Sequence, residues 1–456
     1  MEISELVNRQ RDYFNKGDTL SYKFRYEQLC RLEKGIKDME KEIFDALYAD
    51  LHKAPFESYM AEVGLTLSEL TFVKKHLKKW MRKQRVHTPI TQFPCKSFTF
   101  AEPYGVTLIM SPWNYPFMLT MEPLIGAIAS GNTVVLKPSA YSKNTSDVIG
   151  KLISRIFDPS YIVSVEGGRE ANSLLLEQRF DYIFFTGSVN VGKLVMEKAS
   201  RYLTPVSLEL GGKSPCIIDK NTDIQLAAKR LVFGKFLNAG QTCVAPDYVI
   251  VHKDIEEELI KNVRYWIDNM YKGDALNDPD YPCIVNDKHF ERILGLIDKD
   301  KVVYGGKFNK ERRQIEPTVL KDVTLDDAVM KEEIFGPIMP ILTYKTKEDL
   351  LKIIHSYEKP LALYLFTDDR KFEDYIISHV SYGGGCINDT IVHLATSNMG
   401  FGGVGYSGMG SYHGELSFKT FSHIKSVAER HNWLDLNIRY HPYSKKKEKI
   451  LRKLMK

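Results

Sequence analysis

The chain of 456 residues is long enough for two or three domains with sizeable cores. Its 43% apolar and 27% charged residues are typical of a soluble globular protein. The formal net charge is +5, but the last twelve residues carry seven Lys or Arg and one Glu. The body of the chain is therefore close to neutral and gives no reason to expect nucleic-acid binding.

The six cysteines are spread along the chain, without a C-x-x-C pair or a Cys/His cluster at zinc spacing. This usage predicts a reducing compartment, so we expect a cytoplasmic protein with no disulfide framework and no metal site. The amino terminus lacks the regions of a signal peptide, and no apolar run approaches the roughly eighteen residues of a membrane-spanning helix.

Residues 1–82 predict mostly helices, because apolar residues recur at helical spacing and Gly and Pro are rare. Residues 83–103 predict an extended, β-prone segment. Beyond them, strand candidates alternate with helical stretches such as 192–201, which is typical of a parallel sheet built from βαβ units. The strand candidates are 104–110, 133–136, 161–165, 181–185 and 206–210.

Parallel sheets bind ligands beyond the carboxyl ends of their strands. Two motifs follow strand candidates in this way, Lys137-Pro-Ser139 and Thr186-Gly-Ser188. A second α/β region extends from about 211 to 400 and carries Cys243 near its start. The pattern predicts that the first region binds a cofactor and the second supplies a thiol.

Cys243, Glu209 and Asn114 together suit chemistry at a carbonyl carbon. A thiolate attacks such a carbon, a carboxylate takes up a proton, and an amide N–H stabilises the oxyanion. Taken singly, a cysteine such as Cys243 is usually a small buried hydrophobe, and a carboxylate such as Glu209 is usually solvated at the end of a strand. The surrounding runs are Phe236-Leu-Asn-Ala-Gly-Gln-Thr-Cys-Val-Ala-Pro-Asp247, Leu208-Glu-Leu-Gly-Gly-Lys-Ser214 and Pro112-Trp-Asn-Tyr-Pro-Phe117.

In order and almost end to end, these runs resemble the NAD(P)-dependent aldehyde dehydrogenase superfamily. The short amino terminus and Gly408-Met-Gly-Ser-Tyr-His-Gly414 are similar to its class 3 branch, which includes fatty and aromatic aldehyde dehydrogenases. The other matching runs are Phe184-Phe-Thr-Gly-Ser-Val-Asn-Val-Gly192, Glu332-Glu-Ile-Phe-Gly-Pro337 and Phe401-Gly-Gly-Val-Gly-Tyr-Ser-Gly408.

The resemblance implies an α/β fold with three parts: a Rossmann-like parallel-sheet cofactor domain, an α/β catalytic domain and a small β oligomerisation arm. It also implies a homodimer. The expected boundaries are 1–82 with 104–210 for the NAD(P)-binding domain, 211–400 for the catalytic domain, 83–103 with part of 401–440 for the arm, and 441–456 for a basic tail.

The implied mechanism is covalent. Cys243 attacks an aldehyde to give a thiohemiacetal, hydride leaves for the nicotinamide, and water hydrolyses the resulting thioester to an acid. By resemblance, Glu209 activates that water, while Asn114 and the backbone N–H of Cys243 hold the oxyanion. Relatives that pass the acyl group to coenzyme A typically lack this carboxylate, so Glu209 favours hydrolysis.

The cofactor is expected to be NAD or NADP. Family members that prefer NAD often carry a Glu three positions after the lysine that matches Lys137. In this chain that position is Ala140, which supplies no carboxylate to repel the 2′-phosphate of NADP. We therefore predict that NADP is accepted. By resemblance, Lys137 contacts the adenosine ribose, and Glu333 and Phe335 contact the nicotinamide ribose. The pyrophosphate is expected at Gly187, Ser188 and Gly192, with Trp113 along the phosphate path. Gly211 would let the backbone approach a flat ligand.

Bulky residues that flank the motifs predict a pocket for an apolar aldehyde, either medium to long aliphatic or aromatic. Ordinary core packing is the alternative for each of them. The candidates are Tyr115, Met118, Leu119, Phe233, Ile391, Leu394 and Phe401.

Two other functions stay open at this point, a thiol esterase that needs no cofactor and a catalytically idle relative that kept the fold. The basic tail places Ile450, Leu451, Leu454 and Met455 on one helical face, which suits an anionic lipid surface. Terminal runs of charge are usually solvated, and we favour a solvated tail.

Overall fold

The computed structural model describes residues 2–455, and its amino-terminal part is helical. Most of these helices contribute to the core on one side of the first large sheet, whereas Leu6 and Val7 of the first helix pack in the core on its other side. A π-helical turn at Tyr59–Val63 interrupts the series. The helices are α1 (Ile3–Asn15), α2 (Tyr22–Asp38), α3 (Glu40–Leu51), α4 (Pro55–Ser58) and α5 (Gly64–Trp80).

The segment after α5 is extended, as the sequence predicts. It forms β1 (Gln84–Val86) and β2 (Cys95–Pro103), which pair antiparallel. The other edge of β2 pairs antiparallel with Ser422–Arg430, a strand close to the end of the chain. The three strands make a small sheet of their own.

The first large sheet contains five parallel strands in the order β7-β6-β3-β4-β5. The central strands are buried along their whole length, which explains their continuous apolar sequences. Its elements are β3 (Val106–Met110), α6 (Met118–Ser130), β4 (Thr133–Lys137), α7 (Lys143–Ile156), β5 (Ile162–Ser164), α8 (Arg169–Leu176), β6 (Tyr182–Thr186), α9 (Val189–Ser200) and β7 (Val206–Glu209).

The second sheet has seven strands in the order β10-β13-β14-β9-β8-β15-β16, and only β10 runs antiparallel to its neighbour. A small hairpin, β11 with β12, stands apart from it. The elements are β8 (Pro215–Ile218), α10 (Ile224–Phe236), β9 (Tyr248–His252), α11 (Glu256–Met270), α12 (Asp287–Leu294), β10 (Val302–Tyr304), β11 (Phe308–Asn309), β12 (Gln314–Ile315), β13 (Thr318–Leu320), α13 (Ala328–Lys331), β14 (Ile338–Tyr344), α14 (Lys347–Ile354), β15 (Ala362–Phe366), α15 (Arg370–His379) and β16 (Gly384–Ile387).

The rest of the chain returns to the first half. Its β17 adds antiparallel to β7 at the edge of the first sheet, and β18 completes the small sheet. Within residues 2–455 no helix combines the length and the apolar character required to cross a membrane. The elements are β17 (Gly408–Met409), α16 (Gly414–Thr420), β18 (Ser422–Arg430) and α17 (Lys445–Leu454).

One buried carboxylate joins α3 to α7. Asp50 accepts hydrogen bonds from the backbone N–H groups of Asn144 (3.0 Å) and Thr145 (2.7 Å), and from the side chains of the same two residues (2.8 and 2.7 Å). Ser142, which precedes α7, provides no side-chain cap. Asp50 therefore satisfies donors at the start of α7 that its own flanking sequence leaves free.

We expect Asp50→Ala to lower the free energy of unfolding by about 2–4 kcal/mol, because it leaves buried donors without an acceptor. Urea unfolding followed by far-UV circular dichroism measures the change. The matched control is Asp45→Ala, which removes an exposed carboxylate paired with Lys41 and is expected to cost less than about 1 kcal/mol. Equal effects of the two substitutions would contradict this assignment.

Candidate active site

Cys243 lies in a loop after α10 that turns sharply. Three consecutive residues adopt left-handed backbone conformations, Asn238 (φ 53°), Ala239 (φ 51°) and Gly240 (φ 73°). A Cβ atom on Gly240 would lie 2.3 Å from the carbonyl oxygen of Gly336, so no other residue fits without movement. The glycine before Gln-Thr-Cys therefore allows the thiol loop to pack against the loop after Glu333.

The buried side chain of Gln241 holds this loop in place. Its Nε2 donates to the carbonyl oxygens of Asn238 (3.1 Å) and Cys283 (3.0 Å), and its Oε1 accepts the N–H of Val285 (3.1 Å). The amide thus makes three hydrogen bonds to backbone groups. One partner, Asn238, lies in the loop itself, and the other two lie in the separate segment of Cys283 and Val285. The Gln241 side chain therefore fixes the backbone around Cys243 to that segment.

Asn114 follows β3 and reaches the same loop. Its side-chain Nδ2 donates to the carbonyl oxygen of Gln241 at 3.0 Å, and the residue is 2% exposed. The neighbouring Tyr115 and Thr242 hydroxyls are 2.7 Å apart. A primary amide has two N–H donors, so one of them remains for an oxyanion next to Cys243.

Glu209 is the last residue of β7 and is only 2% exposed. Neither of its carboxylate oxygens has a hydrogen-bond partner in the part of the chain that the structure describes. Burial raises the pKa of this carboxyl well above its usual range. The alternative of a solvated strand-end carboxylate is therefore wrong, and Glu209 has the properties of a buried acid or base.

The thiol of Cys243 faces two acidic neighbours. Burial, with smaller contributions from the carboxylates of Glu333 and Glu209, raises its pKa to about 12, while the backbone N–H groups of Cys243 and Val244 act in the opposite direction. These surroundings therefore favour the protonated thiol at neutral pH. A thiolate needs a base or a positive charge nearby to form.

A cavity of about 410 Å³ opens at the carboxyl ends of β3, β6 and β7. This is the place where an open parallel sheet binds ligands. Nine of the eleven predicted catalytic and cofactor-binding residues line it, namely Trp113, Asn114, Gly187, Ser188, Glu209, Gly211, Cys243, Glu333 and Phe335.

The lining of this cavity suits a nucleotide. Ser188 precedes the first turn of α9 and its side chain makes no capping hydrogen bond, so the first N–H groups of the helix are available to an anion. The Thr186 hydroxyl is buried without a hydrogen-bond partner among residues 2–455. Gly192 does not line the cavity, but a Cβ atom there would lie 2.7 Å from Leu210. Its contribution is to let α9 pack closely on the chain after β7.

Gly211 makes room for the carboxylate of Glu333, since a Cβ atom on Gly211 would lie 2.1 Å from Glu333 Oε2. The requirement for glycine at this position therefore comes from the neighbouring Glu333 side chain. Asp247 holds the same loop by accepting the N–H of Ile334 at 2.9 Å, and Lys213 pairs with Asp247 at 2.5 Å. Burial and the charge of Asp247 raise the pKa of Glu333 to about 8.

Lys137 does not line the cavity. It ends β4, is 3% exposed, and donates from Nζ to the carbonyl oxygen of Pro138 at 2.7 Å. Burial lowers its pKa to about 8. Its contact with the adenosine ribose stays a prediction.

Two basic residues of α12, His289 and Arg292, also line the cavity and were not predicted. The His289 ring lies 5.3 Å from that of Trp113, and Arg292 donates to Glu332 at 2.9 Å and to the carbonyl oxygen of Ile334 at 2.6 Å. Neither residue belongs to a motif. The only sequence signal is their spacing of three residues, which places their side chains on the same face of a helix.

A second, apolar cavity of about 180 Å³ reaches Cys243 from another side. All seven predicted substrate residues line it: Tyr115, Met118, Leu119, Phe233, Ile391, Leu394 and Phe401. Residues that the sequence did not single out complete it, among them Met60, Ala61, Leu65, Leu237, Val392 and Tyr412. His413 also lines it, and its Nε2 lies 3.0 Å from Glu122 Oε2.

The two cavities share Cys243, Leu119, Phe401 and Tyr412. The thiol therefore stands at the junction between a polar cavity suited to a nucleotide and an apolar cavity suited to an organic substrate. These features are those of a nucleotide-dependent oxidoreductase.

The model of the aldehyde dehydrogenase family matches residues 1–427. The chain therefore belongs to the aldehyde dehydrogenase family, and the expected α/β fold is confirmed. It is an oxidoreductase that uses NAD or NADP to oxidise aldehydes to acids.

Similar proteins include the 4,4′-diaponeurosporen-aldehyde dehydrogenase of Staphylococcus aureus, which is 48% identical over 436 residues that cover 95% of each chain. The dimeric NADP-preferring aldehyde dehydrogenase of Canis lupus familiaris is 44% identical, with 97% of this chain and 98% of the relative covered. The solved substrate-bound state of Staphylococcus aureus AldH superimposes with a TM-score of 0.98 at 46% identity, and both chains are fully covered.

The cofactor preference should respond to Ala140, which is exposed after β4. We expect Ala140→Glu to lower kcat/KM for NADP about tenfold, because a carboxylate repels the 2′-phosphate, and to leave kcat/KM for NAD within about twofold. Ala140→Gln, a neutral side chain of the same size, is the matched control. Steady-state kinetics with both cofactors measures the ratio, and an unchanged ratio in Ala140→Glu would contradict the prediction.

Proposed function

We propose that the protein oxidises apolar aldehydes, medium or long aliphatic or aromatic, to carboxylic acids through a thioester on Cys243. The single observation that carries this proposal is the position of Cys243 at the junction of the two cavities. The apolar cavity presents almost no polar surface, and the Tyr115 hydroxyl in it is already paired with Thr242. A charged or phosphorylated aldehyde would lose its hydration there without compensation.

In the first half of the proposed reaction the Cys243 thiol releases its proton to water, and its sulfur forms a bond to the aldehyde carbon as the C=O double bond becomes a single bond. The negative charge that develops on the aldehyde oxygen is stabilised by the free N–H of the Asn114 amide and by the backbone N–H of Cys243. NAD(P)⁺ would be held by the lining of the larger cavity and would accept the hydride that leaves the former aldehyde carbon, so that a thioester remains on Cys243. Removal of one such oxyanion donor typically costs about 2.7–4 kcal/mol of barrier.

In the second half a water molecule attacks the thioester and frees Cys243. Glu209 is the proposed base for this water, since its carboxylate lines the larger cavity and both of its oxygens are without hydrogen-bond partners among residues 2–455. Its raised pKa makes it a stronger base than an ordinary carboxylate once it has lost its proton. Hydrolysis then yields the acid.

A cofactor-independent thiol esterase remains the second candidate, because Cys243, Asn114 and Glu209 need no nucleotide to cleave an activated ester. The cavity beside α9 argues against it as the main activity. A catalytically idle relative is the third candidate. It gains no support, since the nucleophile, base and oxyanion donor are all present around one cavity.

The assembly and location belong to the same proposal. We propose a homodimer formed through the sheet of β1, β2 and β18, a cytoplasmic location, and the division into domains at 82, 103, 210, 400 and 440. The canine relative, a dimeric aldehyde dehydrogenase, supports the dimer. The side chains of α17 are largely exposed, and we keep the expectation of a solvated tail, with an anionic membrane surface as the alternative.

The substrate class is tested with hexanal, decanal and benzaldehyde, each with NAD and with NADP, by following the absorbance of the reduced cofactor. We expect kcat/KM to rise from hexanal to decanal by up to about fourfold for each methylene that the apolar cavity buries. Cys243→Ala is expected to form no reduced cofactor. A reaction of the wild type that is fastest with a short polar aldehyde would contradict the proposed substrate class.

We expect Glu209→Gln to retain a pre-steady-state burst of reduced cofactor and to lose about a hundredfold or more in steady-state turnover, because only thioester hydrolysis needs the base. Wild-type turnover should rise with pH as Glu209 loses its proton, at a pKa above the usual carboxyl range, and the variant should lack this rise. Glu197→Gln on the exposed face of α9 is the control. Loss of the burst would assign Glu209 to the acylation step.

A further inference from the structure

A buried ion pair outside both cavities contacts the segment that carries Asn114. The ammonium group of Lys53 donates to Glu62 Oε1 at 2.5 Å, and neither side chain is exposed to solvent. Lys53 follows a left-handed residue, His52 (φ 52°), which ends α3 and turns the chain inward. Glu62 lies in the π-helical turn between α4 and α5, an irregularity that is frequent at functional sites.

The Lys53–Glu62 pair binds one short segment at both ends. Lys53 Nζ donates to the carbonyl oxygen of Asn114 at 3.2 Å, and Glu62 Oε2 accepts the N–H groups of Phe117 (2.9 Å) and Met118 (3.2 Å) at the start of α6. Lys53 Nζ also lies 4.2 Å from the centre of the Tyr115 ring. Residues 114–118 are therefore held by two side chains from a distant part of the chain.

The orientation of the Asn114 peptide depends on these contacts. Its carbonyl oxygen accepts Lys53 Nζ and Asn238 Nδ2 (2.8 Å), while its side chain donates to Gln241 (3.0 Å). Rotation of this peptide would move the side-chain amide away from Cys243. A buried ion pair adds little net stability once its desolvation is counted, so orientation is the benefit that these contacts supply.

We propose that Lys53 and Glu62 are positioning residues for the reaction, and that they act by orienting the oxyanion donor Asn114 without touching the substrate. The inference rests on the proposed function, because it takes Asn114 as that donor. An oxyanion donor displaced by about 1 Å loses much of its effect, roughly a hundredfold in rate.

The test is a double-mutant cycle between Lys53→Met and Asn114→Ala, with Glu62→Gln as an isosteric variant that removes only the charge. Two reactions are followed, hydrolysis of p-nitrophenyl acetate without cofactor and oxidation of decanal with NAD. Lys41→Met, which removes an exposed lysine paired with Asp45, is the control. Thermal unfolding of every variant separates stability from rate.

We expect Lys53→Met and Glu62→Gln to lower kcat about tenfold or more in both reactions, and Lys53→Met to add less than about threefold in the Asn114→Ala background. The combined variant Lys53→Met with Glu62→Gln should unfold within a few degrees of the wild type and still be slow. If Lys53→Met does not fold, Glu62→Gln carries the same cycle with Asn114→Ala.

The proposal would be overturned by an unchanged kcat in Lys53→Met and Glu62→Gln. It would also be overturned if the loss of kcat in the Lys53→Met, Asn114→Ala double variant equalled the product of the two single losses. The third contrary result is a rate that recovers in every variant whose thermal stability recovers. Failure of the proposed function is distinct from these results. It would show as an Asn114→Ala variant with undiminished activity, whatever the effect of Lys53→Met.

Discussion

The sulfur of Cys243 has to face a polar cavity and an apolar cavity at the same time, and most of the fold around it serves this constraint. The polar cavity depends on strands whose carboxyl ends meet at one edge of the first sheet. The thiol belongs to the second region and reaches this edge only through the left-handed turn of residues 238–240. Because Gly240 packs closely against the Gly336 carbonyl, the loop that carries the sulfur and the loop after Glu333 fix each other's position.

The electrostatics of the site follow from the same arrangement. Cys243, Glu209 and Glu333 face one cavity, and burial favours the neutral form of each. A protonated thiol is a weak nucleophile and resists oxidation. Positive charge brought into the cavity would lower the pKa values of all three groups together. Burial therefore keeps the thiol in its less nucleophilic form, and positive charge in the cavity would make it more reactive.

The sequence predicted the parts of the site that lie in local motifs. The apolar strands reveal the boundaries of the elements that Asn114, Glu209 and Cys243 follow or end. The bulky residues beside those motifs line the apolar cavity. Arg292 lies in α12, far along the chain from the strands it faces, so its position depends on the packing of the two large sheets. Lys53 also escaped prediction, because its partners include a backbone carbonyl that no side-chain pattern encodes.

The pairing of β17 with β7 ties the end of the chain to its first half. Gly408 and Met409 lie opposite Glu209 and Leu208, so the edge of the first sheet that carries the proposed base is completed by residues made almost two hundred positions later. During synthesis, the first half can form its sheet but cannot cover this edge until residue 409 has emerged. The order of translation therefore delays completion of the site well beyond the synthesis of Cys243, and a chain terminated before residue 408 would hold the thiol beside an unfinished sheet.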